Sequence, residues 1–286
     1  MSEKIYKIIK NTVLIVLAVL TTCAIIFGCL WKFGRNFGIK INNPFNDSNL
    51  GEDIIIDREF DENITAIKLD VDLGDVSICQ GDAFCIDAYM PEKLMPDIYV
   101  EDEVLVIENH QEVSLSNGIS LEDDYYIDIT VPEGAKLSCV NINLNLGEIG
   151  LADINSNEIT LVLDCGSVTI DNIVGQKLSA TVNLGDFVIE NSSVNELISS
   201  VDCGDNEAKN LEASFVEANC NLGDIDFASV SFEHGTFIGD VGDIQVDGDF
   251  ASINAELSLG DIEITPKKAD AKIEATTDVG NVVIND

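Results

Sequence analysis

Glycines stand at Gly147, Gly166, Gly185, Gly204, Gly223, Gly242, Gly260 and Gly280, at successive gaps of 19, 19, 19, 19, 19, 18 and 20 residues. A fixed period of this length marks a chain built of supersecondary units that bury their apolar faces only by stacking on their neighbours. Each glycine follows an apolar residue or cysteine, and most precede an acid, as in Leu184-Gly185-Asp186, Cys203-Gly204-Asp205 and Leu222-Gly223-Asp224. An outlying copy, Leu73-Gly74-Asp75, lies well upstream. Counted from each glycine, positions −3, −1, +2 and +4 are apolar in 29 of 32 cases. Strict strand alternation from −3 and −1 would continue at +1 and +3, so the phase slips by one across the glycine. A slip of this kind belongs to a bulge or corner, which glycine permits.

Further apolar positions at +7, +12 and +14, such as Ile154, Ile159 and Leu161, give every repeat another inward side. The pattern predicts an all-β fold: a β-solenoid-like stack of 19-residue repeats over residues 141–286, with −3, −1, +2 and +4 pointing inward. Leucine-rich repeats have a similar period but need a single LxLxx strand and an asparagine ladder. Two strands about a glycine, without an evident asparagine ladder, argue against them.

Upstream, residues 53–140 contain short alternating runs such as TAIKLDVDL and YYIDITV, with Pro91, Pro96 and Pro132 between runs. They read as an N-terminal β region continuous with the repeats. Residues 12–31, TVLIVLAVLTTCAIIFGCLW, carry no charge over 20 positions and are flanked by Lys10 and Lys32. At about 1.5 Å per residue that length crosses a hydrocarbon core of roughly 30 Å. The expectation is an uncleaved single-pass transmembrane helix over 12–32, a short basic tail over 1–11 and a juxtamembrane linker over 33–52. Basic residues balance on the two sides, so orientation rests on mass: a short tail stays inside and a large domain crosses. The body is expected outside the cytoplasm, at the cell membrane.

The whole chain carries −37, from 15 basic and 52 acidic residues. Such a body repels phosphate backbones, which excludes nucleic acid as a partner. It leaves cationic peptides, cell-surface partners and metal ions as candidates, beside the membrane contacted through 12–31.

The segment ITVPEGAKL (129–137), followed at regular intervals by strands ending in glycine, an acid and two further apolar positions, resembles a bacterial β-strand-repeat domain of unknown function, the putative adhesin family. The resemblance spans about 53–286. It implies an anchored cell-envelope protein with an adhesion or envelope-stress role. It brings no catalytic residues.

The residues themselves offer little chemistry. His110 and His234 are too few for a histidine-based metal site, and no nucleotide-binding or nucleophile motif occurs. Cys165 and Cys203 occupy position −1 two repeats apart, near 10 Å at a strand spacing of about 4.8 Å, beyond disulfide reach. Together with Cys220 at −3 they read as buried thiols. Cys79 and Cys85 remain open as a pair. The acids at +1 (Glu148, Asp186, Asp205, Asp224, Asp243, Asp261) would stack into a carboxylate ladder. Position −2 alternates amide and acid: Asn145, Asp164, Asn183, Asp202, Asn221, Asp240. Interleaved amides relieve stacked like charge, which suits a structural ladder. Calcium could neutralise the same column, so Asp186, Asp205, Asp224, Asp243 and Asp261 are the metal candidates. The sequence predicts no catalytic residue and no cofactor. Its leading reading is a non-enzymatic envelope module, its alternative a calcium-dependent or cationic-peptide-binding stress sensor.

Overall fold

A computed structural model describes residues 51–109 and 125–285. The expected tail, transmembrane helix and nearly all of the linker lie outside the described residues, as does His110. All the regular structure described is strand.

Each repeat contributes one long and one short strand, and each type stacks in its own parallel ladder. The long ladder runs β2 (Ala66–Leu73), β8 (Leu137–Leu146), β10 (Asn155–Cys165), β12 (Val174–Val182), β14 (Ser193–Cys203) and β16 (Phe215–Leu222). The short ladder runs β3 (Asp75–Gly81), β9 (Ile149–Ala152), β11 (Val168–Asp171), β13 (Phe187–Glu190) and β15 (Asn206–Lys209). Strands β17 (Ile225–Val241) and β18 (Ile244–Leu259) bend through both ladders. The stack finishes with β19 (Ile262–Pro266), β20 (Lys272–Val279) and β21 (Val282–Ile284). This is a β-solenoid, as the period predicts. The outlying Leu73-Gly74-Asp75 copy is its first rung: β2 and β3 pair directly with β8 and β9 across 73 residues of sequence.

Strands before β2 and between β3 and β8 extend that first rung. β1 (Asp53–Glu59), β4 (Cys85–Pro91) and β7 (Tyr126–Pro132) extend the short ladder, with β4 antiparallel to both of its neighbours. β5 (Asp97–Glu101) and β6 (Val104–Glu108) form an antiparallel pair that extends the long ladder at β2.

The core is the column of −3, +2, +4, +7, +12 and +14 side chains, illustrated by Leu163, Val168, Ile170, Ile173, Leu178 and Ala180, all buried. β-branched and leucine side chains at strand spacing fill such an interior without large rings. Rings enter at a few places, such as the fully buried Phe187, and gather in one aromatic cluster, in which Phe227 meets Phe237 edge-on at 5.1 Å and Phe232 stacks on Phe250 at 5.2 Å. Gly235 makes room for it: a Cβ there would stand 2.6 Å from the Phe232 ring and 2.7 Å from that of Phe237.

Position −1 corrects the sequence reading. Cys165 and Cys203 are half-buried, and Leu184 is 37 % exposed. The chain is already turning there, so the side chain leans along the corner instead of into the core. Cys220, at −3, is buried as expected.

The 18- and 20-residue gaps have separate origins. Ser229 forms a left-handed corner in its rung, but the register skips it, pairing Ala228 with Asp247 and Val230 with Gly248. One corner residue is therefore missing from the rung that starts at Gly242. The next rung keeps that deletion, pairing Gly248 with Pro266, and regains length in the loop before Lys272, which pairs with Ser252.

Candidate functional site

The glycines form a single file along one edge of the solenoid. From Gly147 to Gly280 their φ angles lie between +132° and +157°, a region L side chains rarely adopt. A Cβ on Gly223 would overlap the carbonyl oxygen of Gly204 and stand 2.6 Å from its carbonyl carbon. The glycine column thus reflects both the slip in alternation and direct stacking of backbone on backbone.

Beside this file runs the +1 column, which holds all five metal candidates on successive rungs. Each carboxylate accepts the backbone N–H of the next rung's +1 residue. Asp205 N donates to Asp186 Oδ1 at 2.9 Å, Asp224 N to Asp205 at 2.8 Å, and Asp243 N to Asp224 at 2.7 Å. Asp261 N donates to Asp243 at 2.8 Å, and Asn281 N to Asp261 at 2.8 Å. The first rung starts the same way, with Glu148 N on Asp75 Oδ1 at 2.9 Å. Where the column has Ser167, its hydroxyl takes the role and accepts from Asp186 N at 3.3 Å. The physical cause is local. The glycine corner leaves this N–H pointing along the stack, and a short acidic side chain one rung below is the acceptor in reach. Among the described residues, no group of three or more His, Cys, Asp or Glu is arranged to hold a metal ion.

The −2 column behaves as its alternation predicts: an amide on one rung donates to an acid on the rung before. Asn145 Nδ2 reaches Asp72 at 2.6 Å and Asn221 Nδ2 reaches Asp202 at 2.9 Å, while Asn183 makes the same bond to Asp164. An amide between carboxylates supplies the donor that a pure acid column lacks.

A third column escaped the sequence reading. Asp153, Asn172, Asn191, Asn210 and Ser229, at position +6, all have positive φ between 50° and 59°. This is the second corner of the five successive rungs that start at Gly147 to Gly223. Asparagine and aspartate tolerate the left-handed conformation better than other side-chain-bearing residues. Asn210 Nδ2 donates to Asn191 Oδ1 at 3.0 Å, and Asn172 donates to Asp153. Asn191 Nδ2 donates to Asp171 Oδ1 at 2.8 Å and not to Asn172, so mixed amide and carboxylate bonds tie this corner from rung to rung without a continuous asparagine ladder. The signal was the 19-residue spacing of Asp153, Asn172, Asn191 and Asn210.

At +3 the acids Glu207 and Asp226 flank the +1 column. Partial burial, and then repulsion from Asp205, Asp226, Asp186 and Glu190, pushes the Glu207 carboxyl above its ordinary value. Partial burial and Asp224 do the same to Asp226. Columns −2 and +1, with Glu207, Asp226 and Glu263 at +3, line this corner with acid, and the half-exposed apolar column at −1 lies between −2 and +1.

The described cysteines carry no cross-link. Cys79 and Cys85 both lie opposite Thr130, on β3 and β4 with β7 between them, so two strand spacings, about 9.6 Å, separate them. That exceeds disulfide reach and decides the open pair. No disulfide occurs among the six cysteines of the described residues. Burial pushes the Cys220 thiol up to about 12, with Asp205 and Asp224 adding to the shift. Its Sγ lies 3.2 Å from the Gly204 carbonyl oxygen. His234 Nδ1 lies 2.8 Å from Ser252 Oγ.

A family model described as Toastrack DUF4097 matches residues 64–202 and, a second time, residues 185–285. Two matches to one chain are what an internally repetitive stack produces. Among solved structures, a putative adhesin from Bacteroides fragilis is 19 % identical with a TM-score of 0.52, over 82 % of this chain and 97 % of that one. Another putative adhesin, from Parabacteroides distasonis, is 15 % identical with a TM-score of 0.49, over 82 % of this chain and 98 % of that one. No curated protein matches the chain. At these identities the likeness to Bacteroides fragilis shows a shared fold.

Proposed function

We propose, since this chain belongs to the Toastrack DUF4097 family, that it is a non-enzymatic, adhesin-like protein of the bacterial envelope, anchored through residues 12–31 with its acidic solenoid outside the cytoplasm. The observation that carries this reading is the +1 column. Residues that would be the obvious chemical candidates spend their carboxylates on the backbone of the next rung. The acids build a stiff repetitive surface, and a surface of that kind suits contact with an extended or repeating partner. The apolar segment 12–31 and the resemblance of the body to envelope proteins support the anchored, outward placement.

The test is made on cells carrying the full chain. Protease added to intact spheroplasts should remove the body, and antibody raised against it should label unpermeabilised cells. Complete protection until lysis would overturn the outward placement. Adherence of cells to a surface or to other cells should fall when the gene is deleted and return with the full chain; unchanged adherence would overturn the adhesin-like role.

A second reading has its own observation. The half-exposed −1 column, with Leu184 at its most exposed point, lies between acidic columns. An apolar stripe with negative borders complements an amphipathic cationic peptide. Binding of such a peptide to the full chain, weakened both by salt and by Leu184→Ser, would favour the sensor role over the structural one.

A further inference from the structure

One rung fills the core differently from those before it. Counted from Gly147 and from Gly166, positions +2, +4, +7, +12, +14 and +16 are all apolar and all buried. In the rung that starts at Gly204 the same positions hold Asn206, Ala208, Leu211, Val216, Ala218 and Cys220, also buried. Leu211 and Val216 are the large apolar side chains left. Burial stabilises in proportion to the apolar area removed from water, so this rung holds its neighbours less strongly.

The deficit faces one way. Toward the preceding rung, Phe187 lies opposite Asn206, Ile189 opposite Ala208, Ser199 opposite Ala218 and Val201 opposite Cys220. Toward the following rung, rings make up the volume: Phe227 lies opposite Ala208 and Phe237 opposite Ala218, both rings fully buried. The boundary short of apolar contact is therefore the one between β13–β14 and β15–β16.

Polar side chains occupy that boundary. Ser199 and Asn206 are each 0 % exposed, in columns where the adjacent rungs carry Ala180 and Ala218, and Phe187 and Ile225. Ser199 Oγ donates to Asn206 Oδ1 at 3.1 Å, while Asn206 Nδ2 donates to Ser199 Oγ at 2.9 Å and to the Asn219 carbonyl oxygen at 3.2 Å. The pair satisfies itself. Such bonds replace bonds to water, however, and add less net stability than an apolar pair gains by leaving water. Pairing of the long ladder is also interrupted: β14 joins β12 from Ser193 onward, but β16 joins β14 from Phe215, after an isolated bridge at Glu212. The two family matches change over at the same place, the first ending at residue 202 and the second starting at 185.

We propose that the boundary between β13–β14 and β15–β16 is a seam, at which the solenoid opens while the rungs on either side stay folded. In a stack each rung touches its immediate neighbours alone, so cooperativity passes boundary by boundary and gives way at the weakest. The seam divides the body into a block ending at β14 and a block that starts at β15 and keeps the phenylalanine cluster. It is a conformational device of the fold and holds whatever the body binds.

The test is hydrogen exchange of the full chain in detergent, read at amides that cross this boundary and an earlier one. Phe187 N donates to Asp205 O at 2.9 Å and Glu212 N to Ser192 O at 2.9 Å, both across the seam. Ile149 N donates to Ser167 O at 3.0 Å and Val174 N to Ile154 O at 3.0 Å, across the boundary between the rungs of Gly147 and Gly166. After correction for intrinsic rates, the seam amides should be about a hundredfold less protected. Replacing both polar partners, Ser199→Ala with Asn206→Val, should slow exchange at Phe187 and Glu212 by about tenfold and leave Ile149 and Val174 within about twofold. Either substitution alone strands a buried polar group and should speed exchange at the seam instead. Equal protection at the two boundaries, a double variant that slows all four amides alike, or one that leaves the seam unchanged would each overturn the proposal. Should a variant fail to fold, the wild-type comparison of the two boundaries still decides it.

Discussion

Gly223→Ala perturbs the corner that defines the fold by adding a single methyl group. The wild-type residue has φ +144°, and its Cβ would stand 2.6 Å from the Gly204 carbonyl carbon and 2.9 Å from Asp205 Oδ1. Two costs combine. A side-chain-bearing residue in this backbone region costs of order 1–3 kcal/mol. The overlap cannot be relieved by a rotamer change, because the obstacle is backbone. That backbone is pinned by Gly204 N on Leu222 O at 2.9 Å, and Gly223 N is itself held on Val241 O at 3.0 Å. Separating the rungs enough to admit a methyl loosens these bonds and the neighbouring Asp224–Asp205 contact. The expected total is about 3–5 kcal/mol, at the severe end for one substitution. Gly134→Ala is the control, because Gly134 also has positive φ (+76°) but nothing within 4 Å of its Cβ. It should cost about 1 kcal/mol, the conformational part alone. The assay is urea unfolding of the full chain in detergent, followed by circular dichroism. Amide exchange at Gly223 and Gly242 would report whether the loss is local to the corner, since stacked repeats need not unfold as one unit. If Gly223→Ala falls within about 1 kcal/mol of wild type, or is no worse than Gly134→Ala, the stacking argument is wrong.

Four further outcomes follow from the columns. Asp224→Ala removes the acceptor for Asp243 N–H and should destabilise by about 1 kcal/mol, whereas Asp224→Asn keeps an acceptor oxygen, relieves repulsion and should cost nothing measurable; equal losses in urea melts would show that charge, not the hydrogen bond, matters. Calcium should raise the melting temperature no more than NaCl of matched ionic strength, and a calcium-specific rise of several degrees, lost in Asp224→Asn with Asp243→Asn, would establish a metal site. Glu207 and Asp226 hold their protons more tightly folded than unfolded, so these two groups add stability as pH falls through their raised values to the ordinary carboxylate range; their contribution to the melting temperature should grow with that fall and be smaller in Asp226→Asn, and an identical pH profile in wild type and Asp226→Asn would refute the assignment. The buried Cys220 thiol, with its pKa near 12, should resist alkylation at about pH 8 until the chain unfolds, and labelling in the native state as fast as in urea would contradict the burial.

The sequence by itself determined the solenoid, its period and its glycine corner, because stacking forces each inward position to recur at the same spacing. The slip between −1 and +2 was legible for the same reason: the chain must change face where the side chains change phase. The −2 pairing was legible too, since an amide alternating with an acid at one column leaves few other uses for either. Tertiary structure decided what depends on a neighbour far away in sequence. That the Gly74 copy is the first rung follows from β2 pairing with β8 across 73 residues, which no local pattern encodes. That Cys79 and Cys85 stay apart follows from β7 threading between them, although only five residues separate the two cysteines. Position −1 looked inward because alternation is a one-dimensional rule, and it faces partly outward because the chain has begun to turn in three dimensions. The +6 asparagines carried a readable spacing, but their meaning lies in a backbone angle that an amino-acid pattern reports only indirectly. The role of the +1 acids was hidden for a related reason: their partners are backbone N–H groups, identical in every residue, and only the stacked geometry shows which ones the corner leaves unbonded.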